Sequence, residues 1–178
     1  MDEKLFIENE IDINAPKEKV WNALTNPVET KKYMFGCEVI SDLTVGSSMT
    51  WQGVLEGVTM VFVKGNVTEV DPGNMLAYST FDPNSDVPDI PENYLIVKYI
   101  LTEVEGITNL KVSQGDYSKV ADGQARYSHA EDGGVGQPCW LHLSREYWLV
   151  SHPTLLINCS TKYSKTNTES YLLVSAGL

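Results

Sequence analysis

The sequence has 178 residues, a length that favours one domain with a core large enough to need no disulfide bonds. A net charge of −11 argues against nucleic acid and anionic membrane surfaces as partners, because both require a basic face. No apolar run reaches the roughly 18 residues of a membrane span, and the acidic start "MDEKLFIENE" is unlike a secretion signal. Three cysteines without regular spacing indicate reduced thiols, so we expect a cytoplasmic protein.

The chain opens with a predicted strand and two short helices. Isoleucines at positions 7, 11 and 13 share one face of an alternating segment, which is typical of a half-buried strand. In "NAPKEKVWNALTNP", Pro16 suits a first helical turn, and Val20, Trp21 and Leu24 follow at helical spacing. We expect Trp21 to be largely buried between this helix and a sheet. The "NP" pair that follows predicts a second short helix, with Asn26 as its cap and Pro27 in its first turn.

From Cys37 to Tyr117 the pattern is typical of about six antiparallel strands. Turn residues in "DPGN" and "EGI" separate the apolar runs, and three prolines place residues 81–93 in a loop. Gly65 lies inside the β-branched run "VTMVFVKGNVTEV", where it indicates a bulge or the close approach of another backbone. This order of elements predicts an α+β fold whose curved sheet exposes an apolar face that a helix should cover.

Four stretches together resemble a known family: "INAPKEKVWNALTNP", "DLTVGSSMTWQG", "GNVTEVDPGNMLAYST" and "YILTEVEGITNLKVSQGDY". They are similar to the activator of heat-shock-protein ATPase homologue family, part of the START-like or SRPBCC superfamily with the helix-grip fold. The resemblance runs from about Ile7 to about Glu131. The residues that match its motifs carry structural roles: Pro16, Val20, Trp21, Pro27, Gly46, Gly65, Pro72 and Leu110.

The resemblance implies a seven-stranded antiparallel sheet wrapped around a long C-terminal helix, with a cavity between them. In relatives this cavity binds hydrophobic small molecules or serves cyclases, whereas the eukaryotic co-chaperone contacts a partner protein. The family offers no catalytic motif to transfer and implies no built-in cofactor.

Residues 132–178 depart from this pattern. The first 131 residues hold 21 acidic and 10 basic residues and so carry the whole net charge, and the stretch after them begins "DGGVGQPCWLHLS". Glycines and a proline there predict that the C-terminal helix is disrupted. If the DNA for this stretch were read in a frame shifted by one base, it could encode a Trp directly after the Gly133–Gly134 pair and then an amphipathic helix. We therefore interpret 1–131 as the domain and 132–178 as a frameshifted tail, the alternative being a natural extension with its own packing.

Aromatic residues are the main candidates for a binding site. On the inward face of the sheet they could line a pocket, with phenol hydroxyls orienting a ligand, although plain core packing explains several of them equally well. Gln114 is a polar residue in an apolar strand and could face either the cavity or water. The predicted ligand-binding residues are Trp51, Phe62, Tyr78, Tyr94, Tyr99 and Gln114, with Phe81 considered beside them.

Catalytic and metal sites find little support in the sequence. Residues 1–128 contain no histidine, which leaves no Ser–His, Cys–His or histidine–metal arrangement there. Cys37 fits a buried strand cysteine better than a reactive thiol. The acids of the proline-rich loop match no calcium motif. We expect no catalytic residue, no metal ligand and no cofactor.

Three functions remain open from the sequence. The first is binding of a hydrophobic or amphipathic small molecule. The second is a protein-interaction role as a co-chaperone of a heat-shock ATPase. The third is a cyclase-type enzyme without metal, which would need a cavity carboxylate with a raised pKa.

Overall fold

A computed structural model describes residues 4–131 of the chain. The strands are β1 (Phe6–Ile13), β2 (Glu38–Ser41), β3 (Ser48–Leu55), β4 (Val58–Asp71), β5 (Met75–Thr80), β6 (Leu95–Val104) and β7 (Ile107–Gly115). The α-helices are α1 (Lys17–Thr25), α2 (Pro27–Tyr33) and α3 (Gly123–Glu131), and two single-turn 3-10 helices span Pro91–Asn93 and Tyr117–Lys119. This order confirms the predicted α+β fold.

All seven strands form one antiparallel sheet in the order β1-β7-β6-β5-β4-β3-β2. The predicted turns are confirmed. Asn74 donates its backbone N–H to the Asp71 carbonyl at 2.9 Å, and Gly73 takes a φ of +80°. The hairpin between β6 and β7 turns through Glu105 and Gly106, both with positive φ, as a tight antiparallel connection requires.

The N-termini of α1 and α2 are capped in different ways, one by a distant side chain and the other by a neighbouring one. The side chain of Asn26 accepts the Val28 N–H at 2.9 Å, which confirms the cap at the start of α2. Helix α1 has no side-chain cap of its own, because Pro16 occupies the N-cap position. Instead the Glu103 carboxylate on β6 accepts the Lys17 N–H at 2.7 Å. A carboxylate there also complements the positive end of the helix dipole.

The main core lies between α1, α2 and one face of the sheet, which we call the inner face. It is made of buried side chains that alternate along the strands, among them Ile13, Val39, Met49, Val67, Leu76, Val97, Leu101, Leu110 and Val112. From α1 it takes Val20, Ala23 and Leu24. Trp21 packs against this cluster as predicted, although it is less completely buried than Val20, Ala23 and Leu24. Successive helical residues are about 100° apart, so the stripe centred on Val20 leaves Trp21 at its margin.

Helix α3 packs at one end of the inner face. Its Ala130 joins Leu95 and Tyr117 in a second buried cluster, with Leu5 and Ile7 of the β1 region against them. The helix therefore approaches the face that the predicted fold requires a C-terminal helix to cover. The predicted disruption of that helix and the tail boundary fall on residues 132–178, outside the described residues. No helix within residues 4–131 is long and apolar enough to cross a membrane.

Candidate functional site on the inner face

The strand register brings three predicted site residues together on the inner face. Tyr78 on β5 lies opposite Val97 on β6, and Val97 lies opposite Gln114 on β7. Tyr99 belongs to the next row of β6, two residues from Val97 on the same face. Residues directly paired across antiparallel strands share a face, so all three side chains point towards the main core.

Two tyrosine hydroxyls meet at this site. The hydroxyl oxygens of Tyr78 and Tyr99 lie 3.0 Å apart, which is hydrogen-bonding distance. Their rings are in edge contact, with centroids 5.8 Å apart at an interplanar angle of 63°. Both residues are buried, at 4% and 1% exposure. The pair therefore places a polar group within a face that is otherwise almost wholly apolar.

Gln114 is buried beside this pair. The sequence left open which way it points, and the structure places it inward at 7% exposure. Among the described residues its side-chain amide has no hydrogen-bond partner, and because Asp116 Oδ2 is the one fully buried side-chain atom there without a partner, the Gln114 amide keeps some access to solvent. An amide offers two N–H donors and one carbonyl acceptor, so Gln114 retains its full capacity to bind a polar group.

Trp51 and Phe62 lie on the β3–β4 half of the sheet. Trp51 is 4% exposed and pairs with Val63, and the register shifts at the next residue, so that Phe62 is the extra residue of a bulge. A Cβ placed on Gly53 would lie 3.4 Å from the Phe62 ring, which puts that ring on the inner face as well. Phe62 is only partly buried.

Tyr94 does not join this group. Its ring stacks on Phe81 at 5.0 Å, and its hydroxyl donates to Asp89 at 2.8 Å. Phe81 pairs with Lys64 across the strands, so the two side chains share a face. Gly65, the next residue after Lys64, pairs with the inward-facing Met49, so Lys64 and Phe81 lie on the opposite, outer face. Strand alternation explains the difference from the prediction: Tyr94 precedes Leu95, and Leu95 already points inward.

The middle of the inner face carries no charge within the described residues. At the inward-facing positions of β5, β6 and β7 the only carboxylic acid is Glu103. It pairs with Thr108 near the end of β6, where its carboxylate accepts the Lys17 N–H of α1. The two carboxyl groups with shifted pKa, Asp89 and Asp116, are both shifted down, mainly by hydrogen bonds from Lys64 and Ser118 respectively. The inner face therefore resembles a neutral apolar surface with a few uncharged hydrogen-bonding groups.

Other candidate chemistry is weak in the part of the chain that the structure describes. Burial raises the pKa of the Cys37 thiol, which opposes thiolate formation and agrees with a structural cysteine. Residues 4–131 contain no group of three His, Cys, Asp or Glu side chains placed to hold a metal. A shallow depression of about 450 Å³ beside α1 and α2 is lined by Glu18, Lys19, Asn22 and Glu29 and shares no residue with the inner-face group.

One inner-face polar residue was missed from the sequence. Asn9 on β1 lies opposite Val112, in the row of Tyr99, and is partly buried. The sequence pattern could have identified it, because Asn9 lies two residues from both Ile7 and Ile11 in a strand and therefore shares their apolar face.

Comparison with known proteins agrees with this architecture. The sequence profile of the family described as "Activator of Hsp90 ATPase homolog 1-like protein" matches residues 14–137. The chain belongs to this family. Within the Activator of Hsp90 ATPase homolog 1-like family, the solution structure of a protein from Cytophaga hutchinsonii is 34% identical with a TM-score of 0.58, covering 74% of this chain and 89% of that one. No curated protein matches the sequence.

Two more distant structures share the fold. An Hsp90 activator from Plasmodium falciparum is 17% identical with a TM-score of 0.58, covering 80% of this chain and 95% of that one. A protein from Nitrosomonas europaea, also 17% identical, has a TM-score of 0.60 and coverage of 82% and 95%. At this identity the likeness establishes the fold alone. The predicted family and helix-grip architecture are thus confirmed.

Proposed function

We propose that this protein binds a hydrophobic or amphipathic small molecule against the inner face of its sheet. The observation that carries the proposal is a set of uncharged polar groups on an otherwise apolar face: the Gln114 amide on β7, which has no partner among the described residues, and the hydrogen-bonded hydroxyls of Tyr78 on β5 and Tyr99 on β6. Polar groups inside an apolar surface are the usual means of orienting a ligand.

The proposed lining comprises the inner-face members of the predicted set: Trp51, Phe62, Tyr78, Tyr99 and Gln114. Tyr94 is not included because it lies on the outer face with Phe81. Aromatic side chains supply apolar area on the β3–β4 half, and the hydrogen-bonding groups lie on the β5–β7 half. Such a division suits an amphipathic ligand. A cytoplasmic location remains a prediction from the sequence.

Binding of the uncharged dye Nile red, titrated against the full chain, tests the proposal. We expect saturable binding that Val97→Phe abolishes, since Val97 lies on the inner face between Tyr78 and Gln114. Its neighbour Ile96 points outward and is 41% exposed, so Ile96→Phe is the matched control and should bind normally. Equal binding by the two variants, each shown to be folded by circular dichroism, would exclude the inner face as the site.

A co-chaperone role is the second candidate, favoured by the outer face. β1 presents Glu8, Glu10 and Asp12 outward, and Glu10 forms an exposed ion pair with Lys111 at 3.3 Å. Acidic exposed strands can dock a basic partner surface. In this case the protein should stimulate ATP hydrolysis by a purified Hsp90, and Glu8→Lys should reduce the stimulation. No stimulation at micromolar protein would count against this role.

The cyclase alternative lacks a supporting feature in the described residues. Acid–base catalysis there would need a carboxyl group facing the bound molecule. The middle of the inner face supplies tyrosine hydroxyls and amides instead. We therefore propose binding rather than catalysis.

A further inference from the structure

We infer that the free edge of β1 is a docking site for an extended basic peptide, which pairs with β1 and adds a strand to the sheet. The inference goes beyond ligand binding at the inner face, because it concerns the edge of the sheet. β1 is a terminal strand, and within residues 4–131 its backbone from Phe6 to Asp12 forms hydrogen bonds with β7 only. Alternate residues of an antiparallel strand direct their N–H and C=O groups away from the paired neighbour, so β1 presents a row of these groups on its other side.

The opposite edge of the sheet is protected, in contrast to β1. β2 has only four residues, and the Val39 N–H donates to Thr30 Oγ1 of α2 at 3.1 Å. β1 has eight residues in unbroken register with β7, and its sequence "FIENEIDI" contains neither proline nor lysine. Short length, bulges, prolines and lysines are the usual protection of an edge strand. β1 has none of these, so its backbone can accept a further strand.

The outward side chains of β1 select the charge of the partner. Glu8, Glu10 and Asp12 are exposed, and within the described residues Glu10 alone of the three forms an ion pair, with Lys111 at 3.3 Å. Glu8 lies opposite Ser113, which offers no positive charge. A second copy of β1, added antiparallel, would place acid opposite acid, which is destabilising, whereas lysine or arginine at those positions is favourable. The edge therefore favours a basic peptide over another copy of this chain.

The inward side chains of β1 select apolar residues between the basic ones. Ile7 and Ile11 point inward but are only partly buried, whereas Leu110 and Val112 on the neighbouring β7 are 0% and 3% exposed. An added strand would cover the remaining apolar surface of the two isoleucines. Because successive side chains of a strand point to opposite faces, the matching partner is a segment in which Lys or Arg alternates with Val or Ile.

Binding of the fluorescein-labelled peptide Lys-Val-Lys-Val-Lys-Val-Lys to the full chain, measured by fluorescence anisotropy, tests the inference. We expect saturable binding, and none for the peptide with glutamate in place of every lysine. Two further peptides carry N-methyl groups on the backbone nitrogens of all the lysines or of all the valines. Only alternate N–H groups of an added strand face β1, so one methylated peptide should bind and the other should not. Equal affinity of the two, or no saturable binding of the unmethylated lysine peptide, would overturn the inference.

Two charge reversals at exposed acids locate the site. Glu8→Lys should weaken binding of the lysine peptide about tenfold, since repulsion replaces attraction across the new strand pair. Asp42→Lys, at an exposed position directly after β2 on the opposite edge, changes the net charge equally and should leave the affinity within about twofold of wild type. Equal weakening by the two variants would indicate general charge attraction and would overturn the inference. Glu8→Lys should bind Nile red as the wild type does, so failure of peptide docking and failure of the proposed function are separate outcomes.

Discussion

Gly65 lies so close to the backbone of Ser79 that a Cβ on Gly65 would stand 1.7 Å from the Ser79 carbonyl oxygen. The contact joins β4 to β5 next to the bridge between Lys64 and Phe81. The sequence predicted a bulge or a close approach at this glycine, and the structure shows the close approach. Real Cβ atoms do not reach such distances, so the strands can meet here only because residue 65 has no side chain.

We therefore expect Gly65→Ala to destabilise the protein by about 1–3 kcal/mol or more, since backbone atoms must move to admit the methyl group. Gly53→Ala is the matched control in the neighbouring strand. There the new Cβ would meet the Cys37 sulphur at 3.1 Å, a side-chain atom that can shift. Urea unfolding of both variants measures the difference, and equal losses would show that the Ser79 contact is not what requires glycine.

The hydroxyl pair of Tyr78 and Tyr99 should show energetic coupling. Each Tyr→Phe change removes one partner of the buried contact at 3.0 Å. A double-mutant cycle of urea unfolding free energies should give a coupling of about 1 kcal/mol, with the double variant less destabilised than the sum of the singles. Strictly additive losses would mean that the two hydroxyls do not depend on each other for stability.

A buried hydrogen bond from Thr108 connects β7 to the residues just before α1. Its hydroxyl donates to the Ala15 carbonyl at 2.6 Å, and Thr108 is fully buried. Thr108→Val keeps the shape but leaves that carbonyl without its partner, so we expect a loss of about 1–3 kcal/mol. Thr102→Val, at an exposed position of β6, should change stability by less than about 0.5 kcal/mol. Thermal melting compares them, and a neutral Thr108→Val would show that the bond contributes little.

Tyr117 should make the fold sensitive to alkali. Burial raises the pKa of this phenol to about 12, an effect that nearby Arg126 partly opposes. The unfolded phenol titrates near its ordinary value of 10.0, so the unfolded chain loses this proton first. Stability from Tyr117 is thus fully present below pH 10 and falls as the pH rises towards 12.

Phenolate absorbance and melting temperature recorded across that range test the effect. Tyr117→Phe should remove one late-titrating tyrosine and flatten the decline in melting temperature. Since Tyr117 also packs its ring edge-on against Tyr127 at 5.6 Å, phenylalanine is the substitution that keeps this contact. If the variant declines as steeply as the wild type, another group is responsible for the alkaline loss.

The sequence by itself determined features that depend on neighbours along the chain. The Asn26 cap, the turn at Gly73 and the alternation of β1 follow from backbone preferences within a few residues, and the structure has each of them. The motifs also sufficed for the family and its sheet of seven strands. Such features depend on short-range backbone preferences, so they can be predicted without knowing how distant parts of the chain pack.

Only the tertiary structure decided which face each candidate occupies and which distant groups meet. A period of two divides a strand into two faces without saying which is buried, so the direction of Gln114 remained open and Tyr94 was grouped with residues that the structure turns to the other face. Pairing with β6 turns Gln114 inward, and stacking on Phe81 holds Tyr94 outside. The cap of α1 by Glu103 joins residues 86 positions apart, and no local pattern predicts it. Long-range pairing of strands fixes all three, because it alone sets the register that brings these side chains together.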